Sequence, residues 1–287
     1  MGLTIHFSLR LPASFTQDDA TAAIATLWQA AKALPFQTQT PMVTLDESRI
    51  REAHTARSRS PWRWACIQHA RHHSYRRDAG GRPFTVDGPP SGVSTCMRTV
   101  LAQTLIGFTC IPGSGCEPLN VFVGQYPVSF MAECEGDQHG IPSGKRRMML
   151  KAPLRWTGQA FCKTQYASQP EEGGVTNFLR CHLLVVALLD AARDLGFAVE
   201  VSDEGHYWDR RSIPDLIGEI GDWNAFILGV GRKLQGIDGG QVLTAIDEAT
   251  MAKPVNELAA LALGDDVLDL IQRTGGICAA KVVTPCR

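Results

Sequence analysis

Apolar and polar residues follow a period of two at the start of the chain and then a helical period. The segment from Thr4 to Leu11 alternates cleanly, which predicts a strand with one buried face. Apolar residues between Ala20 and Ala31 recur at helical spacing, and Thr16 with Asp19 forms a predicted capping box ahead of them. A returning strand is predicted over Pro41–Leu45. The chain therefore begins as strand, helix, strand.

A second unit of the same order occupies the third quarter of the chain. Strands are predicted at Gln159–Ala167 and Phe197–Val201. The segment between them, Phe178–Leu195, is apolar nearly all round at its centre, which predicts a buried helix. Thr176 is the predicted N-cap of this helix.

Two such units, with strands also predicted at Thr99–Ile111 and Leu119–Gln125, predict an α/β (α+β) protein with a mixed sheet and packed helices. A duplicated ferredoxin-like arrangement is the preferred version, and a doubly wound parallel sheet is the alternative. The pattern predicts a single domain over residues 1–235 with an arginine-rich insertion at about 49–98. Residues 236–287 are predicted to form a small C-terminal helical extension.

Composition narrows the function classes only a little. The chain has 287 residues, 44% of them hydrophobic and 20% charged, which is typical of a globular protein. A net charge of −1 gives no overall field that would favour nucleic acid or a membrane. The longest apolar stretch, Leu183–Leu189, is too short to span a bilayer, and the start of the chain does not have the pattern of a secretory signal. The nine cysteines are therefore interpreted as reduced thiols of a cytoplasmic protein.

The first candidate site combines two cations with a helix N-terminus. Lys163 lies on a predicted strand, Thr176 begins the next helix, and Arg180 lies in its first turns. Free N–H groups and the helix dipole favour anions there, so these residues predict a site for a phosphate or a carboxylate. The alternative is that Arg180 pairs with Glu171 or Glu172, because no phosphate-loop pattern is present.

The second candidate is thiol or metal chemistry in the same region. A thiolate beside a histidine would make Cys162 a nucleophile. Three or four histidine, cysteine and carboxylate side chains in tetrahedral reach would hold a divalent metal such as zinc. The candidate ligands are Cys162, Cys181, His182, Asp203 and His206. The alternative is that the cysteines are small buried residues, since the spacing matches no zinc motif and neighbouring helical residues point about 100° apart.

The third candidate is a cluster at the end of a predicted strand. Glu204 and His206 are candidate proton donors and acceptors, Asp203 is positioned to orient the histidine, and Trp208 is a candidate pocket wall. Ligands gather at the carboxyl ends of strands in open α/β sheets. The alternative is a tight turn whose tryptophan covers the edge of the core.

The fourth candidate is an arginine-rich segment, residues 49–82, with nine arginines, four histidines and two acids. Arg57, Arg59 and Arg63 are interleaved with tryptophans, a combination that contacts phosphates and stacks on bases. The segment therefore suggests nucleic acid as a partner, and the alternative is a solvated surface.

Several segments resemble a family of bacterial hypothetical proteins. The resemblance lies in residues 161–168, 173–175, 177–183 and 203–205 with Trp208, and also in 2–6 and 113–118. No activity is established for that family, so the resemblance implies no mechanism. It implies that the first and third candidates belong to one site. His206 stands where the family pattern has glycine, which argues against an essential catalytic role for it.

The leading hypothesis is an enzyme or binding protein for a small anionic ligand. In it Lys163 and Arg180 hold the anion, and Glu204 or His206 moves protons. The alternative is a non-enzymatic protein that binds nucleic acid or a protein partner through the arginine-rich segment.

Overall fold

The computed structural model describes most of the predicted domain. The described residues are 3–55, 60, 62, 67–74, 94–127, 129–134, 146–151, 156–221, 269, 270, 272 and 273. The strands are β1 (Thr4–Arg10), β2 (Thr38–Gln39), β3 (Val43–Asp46), β4 (Ile67–Ser74), β5 (Ser94–Leu101), β6 (Thr104–Ile111), β7 (Leu119–Gln125), β8 (Ser129–Cys134), β9 (Arg146–Lys151), β10 (Trp156–Lys163) and β11 (Ala198–Asp203). The helices are α1 (Gln17–Lys32), α2 (Glu47–His54), α3 (Gly174–Asp194) and α4 (Tyr207–Arg210), and residues 213–221 are also helical.

Seven strands form one antiparallel sheet that is not closed. Its order is β11-β1-β10-β7-β6, and β2 and β3 both pair with the outer edge of β6. Two further antiparallel pairs, β4 with β5 and β8 with β9, stand apart from it. The predicted α+β class is confirmed, but the sheet is antiparallel rather than mixed. The doubly wound parallel alternative is not supported, because the strand pairs of this sheet are antiparallel. The duplicated ferredoxin-like arrangement stays a prediction.

The opening of the chain forms the predicted strand and helix, but β1 is buried on more than one face. Ile5 and Leu9 are fully buried on the predicted inner face, and Thr4 and Ser8 on the opposite face are buried as well, so that only His6 is exposed in β1. The capping box of α1 is confirmed, since Thr16 Oγ1 accepts from the Asp19 N–H at 3.2 Å and Asp19 Oδ2 accepts from the Thr16 N–H at 2.8 Å. These two hydrogen bonds satisfy backbone donors that a helix start leaves unpaired.

The central helix α3 is buried along most of its length. Its N-cap is Gly173, whose φ of 107° is in the left-handed region that glycine adopts without strain. The prediction that Thr176 is the N-cap is therefore wrong, and Thr176 lies inside the first turn. The helix is long and apolar enough to cross a membrane, but 67% of its most apolar window is buried in the structure. A core helix of a soluble protein has the same properties, so this is weak evidence for a membrane span.

Three other segments differ from the predicted organisation of the chain. The predicted run Thr99–Ile111 is two strands, β5 and β6, which belong to different sheets. Helix α2, inside the predicted insertion, packs on the second face of the main sheet through Ile50, against Leu105 and Phe122. Leu270, inside the predicted C-terminal extension, is helical and buried in the main core.

Candidate functional site

One end of the main sheet gathers the first and third candidates. Strand β1 pairs with β10 on one side and β11 on the other, so Thr4 faces Lys163 and Ile5 faces Asp203. Strands β10 and β11 therefore finish beside the beginning of β1. We refer to this region as the site end. Glu204 closes it, because its Oε2 accepts from the Thr4 N–H at 2.9 Å and its own N–H donates to the Thr4 carbonyl at 3.1 Å.

Lys163 is joined to the loop between β6 and β7 at this end. The Glu117 N–H donates to the Lys163 carbonyl at 3.1 Å, and Lys163 Nζ lies 3.7 Å from Glu117 Oε1. The two side chains are 39% and 37% exposed, so the pair is within reach of solvent. An exposed pair at this distance contributes little to stability, and its partners can exchange for others.

His182 ties together the three elements that meet at the site end. Its Nδ1 lies 3.1 Å from Thr164 Oγ1, immediately after β10, and its Nε2 lies 3.1 Å from Asp203 Oδ2 at the end of β11. The side chains of His182 and Asp203 are both fully buried. The arrangement has the residue types of a threonine–histidine–aspartate triad, but Thr164 is also fully buried. We therefore assign the network to holding the site end together.

Asp203 is the acid of this network, and three groups contact its carboxylate. It accepts from the Gly205 N–H at 2.8 Å and the Trp208 N–H at 2.9 Å, in addition to its contact with His182. Burial alone would raise the pKa of Asp203. The charge and hydrogen bond of His182, together with the two backbone donors, outweigh burial and lower that pKa to about 2. Asp203 therefore stays ionised and orients the turn that follows β11.

The turn after β11 carries two exposed side chains and a tryptophan that packs on the core. Glu204 and His206 are exposed, and His206 Nε2 lies 4.0 Å from Glu219 Oε1. His206 has a φ of 56°, which is uncommon for a residue with a side chain. Trp208 is half-buried, with the guanidinium carbons of Arg211 and Arg193 at 4.7 and 5.3 Å from its ring. Its position fits the structural alternative, a tryptophan that covers the core edge.

Cys162 lies inside the core rather than in an accessible site. It is fully buried, and its thiol donates to the Glu117 carbonyl at 3.2 Å. Burial, reinforced by the nearby Cys181 and Glu117, raises the pKa of Cys162. Both observations favour the neutral thiol and argue against Cys162 as a nucleophile.

Arg180 is held by backbone carbonyls. Its Nη1 donates to the Pro112 carbonyl at 3.2 Å, and its Nη2 donates to the Pro35 carbonyl. These contacts fix the guanidinium between the loop after β6 and the loop before β2. Of the two acids in the alternative pairing, Glu171 and Glu172, the second accepts from Ser114 Oγ in the same loop.

Cys181, the neighbour of His182, belongs to a different cluster. Its thiol donates to Asn177 Oδ1 at 3.6 Å. The neighbouring thiol of Cys116, in the loop between β6 and β7, lowers the pKa of Cys181, burial opposes this, and the charge of Arg180 adds to the lowering. The pKa of Cys116 is raised, by Cys181 and by burial.

The proposed metal ligands are not gathered into one site. His182 is occupied by Thr164 and Asp203, whereas Cys181 faces Cys116 and Asn177. Among the described residues, no group of three or more histidine, cysteine and acidic side chains is arranged to hold a metal ion. The zinc hypothesis therefore gains no support from this part of the chain.

Sequence reasoning missed Thr164 and Asn177 as residues of this region. Both lie in segments that carry the family resemblance, which was the only signal for them. The predicted nucleic-acid contacts Arg57, Arg59 and Arg63 lie outside the described residues.

Comparison with known proteins leaves the site to be judged on its own geometry. No protein-family model, no curated protein and no solved structure matches the chain.

Proposed function

We propose that the site end binds a small anionic ligand bearing a phosphate or a carboxylate, as an enzyme or a binding protein. The observation that carries the proposal is the convergence of Lys163, the loop containing Glu117 and the start of α3. Asn177 Nδ2, in the first turns of α3, donates to the Ser114 carbonyl of that loop at 3.0 Å. One loop thus joins the available lysine to the helix N-terminus.

The start of α3 supports an anion at this position. No side chain caps it, and a β-carbon placed at Gly174 would meet no atom within 4 Å among the described residues. The N–H groups of the first helical turn carry partial positive charge, and a ligand oxygen can accept from them where space is available. The 21 residues of α3 give this end a full helix dipole.

The two cations have different roles in the proposal. Lys163 is exposed and only loosely paired with Glu117, so its ammonium group can turn to a ligand. Arg180 already donates to two carbonyls, so it contributes positive charge and fixes the loop rather than reorienting. We expect the ligand to displace the carboxylate of Glu117 from Lys163.

If the ligand is chemically converted, the exposed groups after β11 transfer the proton. Glu204 and His206 reach solvent, whereas the buried pair of His182 and Asp203 positions the turn that bears them. The proposal therefore gives His182 and Asp203 a positioning role.

The test is a titration of thermal stability with inorganic phosphate and with adenosine monophosphate. A ligand that binds only the folded state raises the unfolding free energy by about 2.7 kcal/mol when its concentration is 100 times its Kd. We expect the midpoint to rise with probe concentration and the rise to disappear in Lys163→Met. The matched control is Arg10→Met, which removes the cation of an exposed ion pair at the opposite end of the sheet. An equal response in both variants, or none in the wild type with either probe, contradicts the proposal.

The same titration separates the alternative partner. Binding of a nucleic-acid oligonucleotide through Arg57, Arg59 and Arg63 would weaken steeply with salt and would survive Lys163→Met.

We also infer a single ferredoxin-like unit within the sheet. Elements β1, α1, β7, β10, α3 and β11 follow the order β-α-β-β-α-β, with strands β11-β1-β10-β7 side by side. Both helices contribute to one core cluster. The site end is then the edge at which β10 passes into α3.

A further inference from the structure

Four cysteines in the described part of the chain have free thiols, and one of them differs from the rest. Cys110, Cys162 and Cys181 are buried, whereas Cys116 is partly exposed. Cys116 lies in the loop between β6 and β7, where its N–H donates to the Gly113 carbonyl at 3.2 Å. It is therefore the thiol of this group that a small reagent from solvent meets first.

The loop holds Cys116 beside Cys181. The Cys116 N–H donates to the Gly113 carbonyl, and Gly113 lies so close to α3 that a β-carbon there would come within 2.6 Å of Cys181 Sγ. Gly115 is pressed onto the turn after β10, since its β-carbon would lie 2.7 Å from the Tyr166 carbonyl oxygen. The packing of the loop therefore makes Cys116 and Cys181 neighbours.

We propose that Cys116 and Cys181 form a redox-responsive pair, which a hydroperoxide such as hydrogen peroxide converts to a disulfide. The modification goes beyond ligand binding at the site end and does not require it. Gly113 lies against Cys181 Sγ and is hydrogen-bonded to Cys116, so a movement of this loop would bring the two sulfur atoms to bonding distance.

The atoms and electrons of the reaction balance. One thiol loses its proton and attacks a peroxide oxygen, the O–O bond breaks, and a sulfenic acid and one water form. The second sulfur then attacks the sulfenic sulfur, the S–O bond breaks, and the hydroxyl leaves as a second water. Two thiols have lost two protons and two electrons, and one peroxide has become two waters.

The other two thiols are less suited to this reaction. Cys162 is fully buried and donates to the Glu117 carbonyl, and burial raises the pKa of Cys110 to about 12. The pKa of Cys181 is instead lowered by the neighbouring Cys116 and by the charge of Arg180, although burial opposes this. The thiolate needed for attack on peroxide therefore forms most readily at Cys181, which is buried, so peroxide reaches the pair at the partly exposed Cys116.

The disulfide would join the loop to α3 covalently. The residue after Cys116 is Glu117, the partner of Lys163. Oxidation would thus fix the loop that links the lysine to the helix start.

The test is disulfide mapping of the reduced full-length protein after treatment with hydrogen peroxide. Remaining thiols are blocked with N-ethylmaleimide, and the protein is digested without reductant and analysed by mass spectrometry. We expect a peptide linked through Cys116 and Cys181 as the main intramolecular product. It should form roughly tenfold faster in the folded protein than in urea, because folding raises the effective concentration of one thiol near the other.

Two variants keep the result interpretable. Cys116→Ser should lose the linked peptide and accumulate a Cys181 sulfenic acid that dimedone traps, whereas Cys162→Ser should retain the link. Circular dichroism verifies that both variants are folded, and Cys116→Ala replaces Cys116→Ser if that variant is not. A folded wild-type protein that links Cys116 mainly to another cysteine, or forms no link, overturns the proposal.

Discussion

Cys181 and His182 are adjacent on α3 and both buried, yet they belong to different clusters of side chains. His182 is enclosed between Thr164 and Asp203, and its side chain is fully buried. Cys181 faces a loop whose Cys116 is partly exposed. Successive helical residues point about 100° apart, so one turn of α3 serves both a closed network and a contact close to solvent. Residues that form one candidate cluster in the sequence can therefore belong to two clusters in the structure. We call His182 with Thr164 and Asp203 the structural half, and Cys181 with Cys116 the reactive half.

The largest effect should come from breaking the structural half. Asp203→Ala leaves His182 without its acid and the Gly205 and Trp208 N–H groups without their acceptor, and we expect a loss of about 3–5 kcal/mol in unfolding free energy. Glu200→Ala on the same strand removes an exposed partner of Arg10 and should cost about 0–1 kcal/mol. Urea unfolding measures both, and similar costs for the two variants would contradict a structural role for Asp203.

The next effect is a dependence of stability on pH. The pKa of Asp203 is about 2 in the folded protein, against about 3.9 for an unperturbed aspartate. A lowered pKa stabilises the folded state by about 2–3 kcal/mol above pH ~4, and this contribution is lost as the pH falls through about 2. The stability difference between wild type and Asp203→Asn should therefore shrink between about pH 6 and about pH 3 in urea titrations. A difference that stays constant over that range would show that the Asp203 carboxylate is not stabilised in this way.

A smaller effect should mark the reactive half. Gly113→Ala places a β-carbon 2.6 Å from Cys181 Sγ and 3.1 Å from Asn177 Oδ1. We expect a cost of about 1–3 kcal/mol, because the loop must move away. Gly218→Ala is the matched control, since its β-carbon meets no described atom within 4 Å in a helical segment and should stabilise by about 0.5–1 kcal/mol. Thermal unfolding distinguishes the opposite signs, and a neutral Gly113→Ala would mean that the loop does not press on Cys181.

The sequence predicted those parts of the fold that depend on local pattern. The alternation from Thr4, the capping box at Thr16 and the strand Leu119–Gln125 were all read from neighbouring residues. The transition from β5 to β6 was missed because Ala102 and Gln103 lie between them, with no glycine or proline to mark a boundary. Thr176 was misplaced because a pair of glycines with positive φ starts the helix in place of a capping side chain.

The site was only partly accessible to the same reasoning. His182 is predicted only as a metal ligand, and Asp203 as a metal ligand or as the acid that orients His206. The contact between His182 and Asp203 depends on how α3 packs beside β11. The contact of Cys116 with Cys181 joins two residues far apart in the chain, and no spacing rule indicates it. Tertiary packing, not local sequence, decides which cysteine meets which.

The most direct test of the division between the two halves is the rate at which N-ethylmaleimide labels each thiol of the folded protein, read by mass spectrometry. Among the four cysteines whose side chains the structure describes, the account predicts that Cys116 is labelled first and that Cys110 and Cys162 are labelled only after unfolding in guanidine. Labelling of Cys110 or Cys162 in the folded protein as fast as Cys116 would contradict it.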